Sequence, residues 1–143
     1  FVNEYFNHYR YNPNSISKKV DEKNTGYLVD CFHVIQENIE TFPDKKVFIE
    51  PLYQRVAYVV IAIAMSTYFH PDNKDSVFKK INKFAKVIKE NDLFSTSIAK
   101  CTTTGMDKQR KLTLTFIRLH IYIMLPFIGW LKQYCLKKGK YNY

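Results

Sequence analysis

The sequence predicts a mainly α-helical protein: a bundle of about four to five helices preceded by one extended N-terminal strand and turn. Its 143 residues are one domain's length, and 46% of them are hydrophobic, which is enough for a packed core. Four glycines and five prolines are too few for a sandwich or barrel of many short strands. Most of the chain instead repeats apolar residues every three or four positions, which is the helical period.

The first 23 residues differ from the rest of the chain. Residues 1–11 are crowded with aromatic and β-branched side chains and are predicted to form a strand. Asn12-Pro13-Asn14-Ser15 should end it in a turn, because proline fixes φ and Asn and Ser bond to their own backbone. A charged link follows from Lys18 to Asn24. We therefore divide the chain into a strand, turn and link (1–23) and a helical domain (24–143).

Two helices are predicted before residue 70. The first covers Thr25–Glu40 and ends before Phe42-Pro43, and the second covers about 44–69. The second contains ten consecutive apolar residues, 56–65, too few for the roughly 20 that span a bilayer. It is therefore predicted to be the central buried helix, with Pro51 either kinking it or lying in its first turn.

A third helix, about 75–90, should follow a turn at 70–73. One face of it is apolar and the other is a row of lysines: Lys79, Lys80, Lys83, Lys86 and Lys89. A short helix over 93–100 and a loop over 102–105 complete the middle of the chain. The carboxylate pairs Asp72/Asp75 and Glu90/Asp92 lie where helix caps are expected, so capping explains them better than a cation site does.

The last element, about 107–138, is the most hydrophobic. Pro126 should bend it or divide it into two helices. Arg118 and His120 interrupt it, so its uninterrupted apolar part, 121–131, is too short to span a bilayer. Trp130 and Tyr134 followed by a basic end are typical of an interfacial helix, which makes Trp130, Lys132, Lys137 and Lys138 the predicted membrane contacts. A core helix with a solvated basic end explains the same pattern, and both interpretations stay open.

Charge is concentrated in the second half of the chain. Residues 1–70 contain seven Lys/Arg against eight Asp/Glu, whereas residues 71–143 contain fifteen against five, a net +10. This asymmetry indicates a polyanionic partner, either nucleic acid or an anionic membrane surface. Lysine outnumbers arginine thirteen to two there, and no stacking platform or recognition helix is evident, so nucleic acid is the less favoured partner.

No self-contained catalytic signature is present. The sequence has no Gly-rich phosphate loop, no H-E-x-x-H and no Walker motif, and no metal site is predicted in this chain. Its four histidines are far apart and are better explained as structural or surface residues. Three widely spaced cysteines without a C-x-x-C motif favour a reducing, cytoplasmic setting over a disulfide framework or zinc site: Cys31, Cys101 and Cys135.

The stretch Tyr9-Arg10-Tyr11-Asn12-Pro13-Asn14-Ser15-Ile16-Ser17 carries a resemblance to a known family. It resembles the strand and turn, roughly Y-Y-Y-R-x-N-x-x-S-I-S, that close the GT-A catalytic domain of many bacterial family 2 glycosyltransferases. C-terminal helices, often ending in an apolar, basic segment near the membrane, follow this turn in the family. The strict match covers about nine residues, with His8 where an aromatic is common, and the helical remainder matches in layout only.

The resemblance implies that this chain is the C-terminal part of an enzyme that transfers a sugar from a nucleotide-sugar donor to a saccharide or lipid-linked acceptor in surface-polysaccharide synthesis. The D-x-D motif, its Mg²⁺ or Mn²⁺ and the catalytic base would lie upstream, so the chain alone would not be catalytic. By the same analogy Arg10, Asn12, Asn14 and Ser15 border the substrate cleft, where a guanidinium and polar donors suit a diphosphate or sugar hydroxyls. Arg10 paired with a carboxylate in a simple turn is the alternative.

The resemblance also implies a cytoplasmic location, with the basic helices at the inner face of the membrane. Two other functions fit the same sequence. One is a basic helical module that binds a membrane surface or nucleic acid. The other is an oligomerisation domain, in which the aromatic strand pairs edge to edge with a second copy to give a homo-oligomer.

Overall fold

The computed structural model describes residues 22–137, without the side chains of residues 133 and 135–137. In this part of the chain the protein is mainly α-helical, as predicted, and has no strand. The predicted strand, the turn and most of the link lie outside the described residues, so the division of the chain at residue 23 stays a prediction. The six helices are α1 (Lys23–Glu40), α2 (Lys46–Ile63), α3 (Val77–Glu90), α4 (Asp92–Lys100), α5 (Lys108–Arg118) and α6 (Leu125–Lys137).

Helix α2 is the centre of the core, as its apolar run predicts. It packs most extensively against α4 and also contacts α1 and α5. Val56, Ala57 and Val60 on its inner faces are almost completely buried. Pro51 lies inside the helix, at its sixth residue, so it does not lie in the first turn. The carbonyl of Val47 loses its intrahelical donor there, but Val47 is exposed and water can hydrate it.

The end of α2 widens into one π-helical turn, Ala64–Tyr68. The amide of Phe69 donates to the carbonyl of Ala64 five residues back, at 2.8 Å. The side-chain amide of Asn73 then donates to the carbonyls of Thr67 and Tyr68, both at 3.1 Å. These bonds satisfy carbonyls that the end of a helix otherwise leaves unpaired.

Helices α3 and α4 begin at side-chain caps, but not at the predicted carboxylates. Ser76 Oγ accepts from the amide of Lys79, and Asn91 Oδ1 accepts from the amide of Phe94 at 2.9 Å. Asp75 instead pairs with Lys79 and Lys83, both at 2.8 Å. Ser76 and Asn91 have the extended backbone that is typical of a side-chain N-cap.

The final element is divided, although not at the predicted position. The break is at 119–121, where His120 has a φ of +56° and the amides of His120 and Ile121 donate to the carbonyls of Ile117 and Phe116. This is a Schellman termination with histidine where glycine is usual. A short 3₁₀ turn, Tyr122–Met124, leads into α6. Pro126 is the second residue of α6, where its missing N–H costs nothing.

Aromatic side chains join the π turn, α3 and the 3₁₀ turn. The fully buried ring of Phe84 on α3 lies 5.4 to 5.6 Å, between centroids, from the rings of Tyr68, Phe69 and Tyr122. The contacts are tilted or edge-to-face, the geometries that aromatic pairs prefer. This cluster fixes the start of α6 against the body of the domain.

Candidate membrane-contact surface

Helix α6 buries one face and exposes another that is equally apolar. Leu125, Ile128 and Gly129 face the core. The opposite face exposes large apolar side chains over two turns, each more than 40% accessible: Phe127, Trp130, Leu131 and Tyr134. A helix in a globular protein normally places polar residues on its outer face, so this face needs an explanation other than core packing.

The three exposed aromatic rings form a stack, which we call the aromatic ladder (Phe127, Trp130 and Tyr134). The Phe127 and Trp130 centroids are 6.2 Å apart with an interplanar angle of 27°. The Trp130 and Tyr134 centroids are 5.5 Å apart at 19°. Trp130 is therefore stacked between the other two rings, and its edge rather than its face is presented to the outside.

Further apolar side chains are exposed between α5 and α6, at residues 119–124, which we call the α5–α6 corner. Four of its six residues are exposed aliphatic or thioether side chains: Leu119, Ile121, Ile123 and Met124. Leu112 extends this surface back along α5, seven residues and therefore two turns before Leu119. The ladder and the corner together form an exposed apolar surface without any charged residue between 119 and 131.

Positive charge flanks this surface in the sequence. Residues 108–143 contain no Asp or Glu and eight Lys or Arg: Lys108, Arg110, Lys111, Arg118, Lys132, Lys137, Lys138 and Lys140. Not all of these charges are available to a partner. Arg110 pairs with Asp107 and lies over the ring of Tyr58. Arg118 donates from Nε to the carbonyl of Ile98 and from Nη2 to that of Cys101, so it holds the end of α4.

Lysines 108 and 111 are exposed on α5, beside Leu112. Neither makes an ion pair with any residue that the structure describes. On a helix, residues 108, 112, 115 and 119 share one face, and residue 111 borders it. Two uncompensated cations therefore lie along the apolar stripe that leads to the α5–α6 corner.

The predicted membrane contacts are only partly brought together. Trp130 is the central ring of the ladder. Lys132 is half-buried and lies two residues further on, about 200° around the helix, so it does not share the ladder's face. Lys137 is the last residue of α6 and its side chain is outside the described part, as is all of Lys138. Arg10, Asn12, Asn14 and Ser15 also lie outside the described residues, and their cleft role stays a prediction.

The set of residues predicted from sequence leaves out Phe127 and the α5–α6 corner. Phe127, Trp130 and Tyr134 are spaced by three and four residues, and this spacing is the signal that identifies a single face. The corner has no such signal, because its exposure depends on where the chain breaks between α5 and α6.

The lysine row of α3 is less positive than its sequence indicates. Lys79 and Lys83 pair with Asp75, Lys83 also contacts Glu22 at 2.6 Å, and Lys86 lies 3.7 Å from Glu90. Within residues 22–137, that leaves Lys80 and Lys89 as the members of the row without an ion pair. This neutralisation weakens the case for a nucleic-acid-binding face on α3.

The described side chains offer no candidate metal centre. No group of three His, Cys, Asp or Glu among them could hold a metal ion. The divalent cation implied by the resemblance therefore has no candidate ligand set in this part of the chain. Burial raises the pKa of the Cys101 thiol more than the nearby Arg118 lowers it, so this buried cysteine is a poor nucleophile.

Of the described helices, only the segment from α2 through the π turn, Lys46–Tyr68, is long and apolar enough to cross a membrane. This is weak evidence for a spanning helix, because the central helix of a packed core passes the same test, and α2 is that helix here.

Comparison with protein-family models, with curated proteins and with solved structures found no match to this chain.

Proposed function

We propose that this helical domain binds the surface of an anionic membrane through the aromatic ladder and the α5–α6 corner. The observation that carries the proposal is an exposed apolar face in a stretch of 36 residues, 108–143, that has eight basic residues and no acidic one. Trp and Tyr favour the boundary between headgroups and acyl chains, and each nearby lysine adds about 1 kcal/mol on an anionic surface.

Trp130 makes this proposal directly testable, because it is the only tryptophan in the chain. Its emission should shift to the blue when vesicles of phosphatidylcholine with phosphatidylglycerol are added, and the shift should reverse as sodium chloride is raised. Phosphatidylcholine alone should give a much weaker response. An equal response to neutral vesicles would refute the electrostatic part, and no response to either would refute the proposal.

Matched substitutions test whether the ladder is the binding surface. Phe127→Ser and Tyr134→Ser should each weaken vesicle binding at least about tenfold, because each removes an aromatic side chain whose burial in the membrane is worth roughly 1.5–3 kcal/mol. Tyr27→Ser is the control, since Tyr27 is 70% exposed on α1, away from the ladder in sequence.

If an oligonucleotide shifts Trp130 emission and anionic vesicles do not, the nucleic-acid alternative replaces this proposal.

We propose further that this domain is the C-terminal part of a family 2 glycosyltransferase acting on a nucleotide-sugar donor and a saccharide or lipid-linked acceptor. The support is the sequence Tyr9–Ser17, with Arg10, Asn12, Asn14 and Ser15 as the candidate cleft residues. In this proposal the basic helices hold the cleft near lipid-linked acceptors at the cytoplasmic face of the membrane. Donor turnover then requires catalytic carboxylates upstream of Phe1 and a Mg²⁺ or Mn²⁺ bound there.

The residues encoded immediately upstream of Phe1 decide this second proposal. A D-x-D motif within alternating strands and helices supports it, and a start codon directly before Phe1 overturns it. In the extended enzyme, Arg10→Ala should reduce metal-dependent transfer from the donor, whereas Arg55→Ala, an exposed arginine on α2, should not.

A further inference from the structure

We propose that the α5–α6 corner enters the acyl-chain region of the bilayer while the aromatic ladder stays at the interface, so that α6 lies tilted with its N-terminal end deeper. This inference rests on the membrane binding proposed above and adds the depth and orientation of that binding. The occupant of the corner is therefore the hydrocarbon layer of the same anionic membrane, not a second protein.

The two parts of the surface differ in chemistry. The corner exposes aliphatic and thioether side chains, whereas the last two members of the ladder are Trp130 and Tyr134. Aliphatic side chains favour the hydrocarbon layer, and Trp and Tyr favour the headgroup boundary. The basic residues Lys137, Lys138 and Lys140 follow the ladder in sequence, so the chain changes from aliphatic to aromatic to cationic between residues 119 and 140. If α6 is tilted with its N-terminal end deeper, this order along the chain corresponds to decreasing depth in the membrane.

Most backbone donors of the corner are hydrogen-bonded, which reduces the cost of entering hydrocarbon. The amides of four of its six residues, Leu119, His120, Ile121 and Met124, donate to carbonyls of this segment or of α5, at 2.9 to 3.2 Å. Each unsatisfied amide would cost several kcal/mol in an apolar environment. The Schellman termination at His120 therefore lowers the cost of moving this turn out of water.

The polar side chains of the corner are also paired internally. The Tyr122 hydroxyl and Nδ1 of His120 share a hydrogen bond of 2.8 Å, and their rings meet edge to face. Burial raises the pKa of Tyr122, which keeps its phenol neutral. Among residues 119–124 these are the only polar side chains, so the corner presents no charge from Asp, Glu, Lys or Arg to the membrane.

The segment from the 3₁₀ turn to the end of the ladder is long enough for a measurable difference in depth. Ile123 and Tyr134 are eleven residues apart, about 16 Å along a helix at 1.5 Å per residue. A tilt of about 30° from the membrane plane would place Ile123 about 8 Å deeper than Tyr134. Half of the hydrocarbon core is about 15 Å thick.

Tryptophan probes in the full chain can measure this difference. Ile123→Trp and Tyr134→Trp are made in a Trp130→Phe background and compared with the natural Trp130, in vesicles that contain phosphatidylglycerol and brominated phosphatidylcholines. Bromines in the middle of the acyl chain should quench position 123 at least twice as strongly as position 134. Bromines near the carbonyls should show the reverse order, with Trp130 intermediate. Equal depths, or a deeper position 134, would overturn the tilt.

Substitution of the corner gives an independent test. Ile123→Gln should weaken vesicle binding about tenfold, because one aliphatic side chain no longer enters hydrocarbon. Val34→Gln on α1 is the matched control, since Val34 is 56% exposed and Ile123 is 55% exposed. Unchanged binding of Ile123→Gln would place the corner outside the acyl chains and leave ladder binding intact. If none of the three probes responds to vesicles, this inference and the proposed membrane function both fail.

Discussion

Gly129 of α6 lies directly against the backbone carbonyl of Phe69, the residue that follows the π turn. A Cβ atom built on Gly129 would overlap the Phe69 oxygen at a distance that real Cβ atoms do not adopt. The obstacle is backbone, which cannot move aside as a flexible side chain can. This contact sets how closely α6 packs on the end of α2, and so where the aromatic ladder lies.

Gly129→Ala should therefore destabilise the fold by at least about 2 kcal/mol, in the upper part of the range for overpacked cores. Urea unfolding, monitored by circular dichroism, measures this change in the free energy of unfolding. Gly26→Ala is the control, because Gly26 is inside α1 with open space around its Cα. That variant should be stabilised by up to about 1 kcal/mol through helix propensity. Equal effects of the two substitutions would contradict the packing argument.

Asp75 should make stability depend on pH at the acidic end. Hydrogen bonds from Lys79 and then Lys83 lower the pKa of Asp75 from 3.8 to about 2. Its contribution is therefore complete above about pH 4 and is lost as the pH falls toward 2. Asp75→Asn should lower the melting temperature at pH 7, and the difference from the natural protein should shrink toward pH 2. Asp30→Asn, at an exposed position on α1, should show neither effect.

Arg118→Met should destabilise the domain by about 2–4 kcal/mol. The substitution keeps much of the apolar stem but leaves the carbonyls of Ile98 and Cys101 without charged donors, which hold them at 2.7 and 2.6 Å. Chemical unfolding measures the loss. Arg55→Met, at an exposed position on α2, is expected to change stability by less than about 0.5 kcal/mol. A near-neutral Arg118→Met would refute this capping role.

Ser97→Ala should stabilise the protein by about 1 kcal/mol. Ser97 is completely buried on α4, and its hydroxyl has no hydrogen-bond partner among the described residues. The alanine substitution removes a buried hydroxyl whose desolvation is not compensated by a hydrogen bond. Ser95→Ala is the comparison, because Ser95 Oγ donates to the carbonyl of Asp92 at 3.1 Å and should lose a little stability. A destabilised Ser97→Ala would indicate that a bound water satisfies the hydroxyl.

Lys108 and Lys111 should supply much of the attraction to anionic vesicles. Replacing either with glutamine should weaken binding about fivefold, corresponding to about 1 kcal/mol, and should reduce the salt dependence. Lys89→Gln removes an equally exposed charge from α3, which is not part of the proposed surface, and should have little effect. If Lys89→Gln weakens binding as much as Lys111→Gln, the attraction depends on net charge rather than on this face.

The central helix was predictable, because a run of ten apolar residues is removed from water only when most sides of the helix are buried. The break before α6 was not, because it occurs at His120 in a left-handed conformation, which is stabilised by the bonds from the His120 amide to the Ile117 carbonyl and from the Ile121 amide to the Phe116 carbonyl. The predicted cap of α3, Asp75, is one residue early, because Asp75 pairs with two lysines and Ser76 caps the helix. The role of Arg118 depends on the position of α4, which periodicity does not specify.

Of the candidate surface, the sequence alone indicates Trp130, Tyr134 and the basic end of the chain. The stacking of the three rings of the aromatic ladder could have been predicted, because it follows from their helical spacing. The α5–α6 corner was not, because its apolar residues are exposed only through the tertiary position of the turn. The predicted cleft residues at 10–15 lie outside the described part and stay predictions.

The π turn at the end of α2 accommodates one more residue than an α-helical turn. The amide of Phe69 bonds to the carbonyl five residues back, that of Ala64, so removing the exposed Ser66 would let the same two groups pair in an ordinary α-helical bond. The Phe69 carbonyl would then still lie against Gly129. Natural variants of this fold should therefore tolerate insertions and deletions in the loop at 101–106 and the loss of one residue from the π turn, but should keep glycine at position 129.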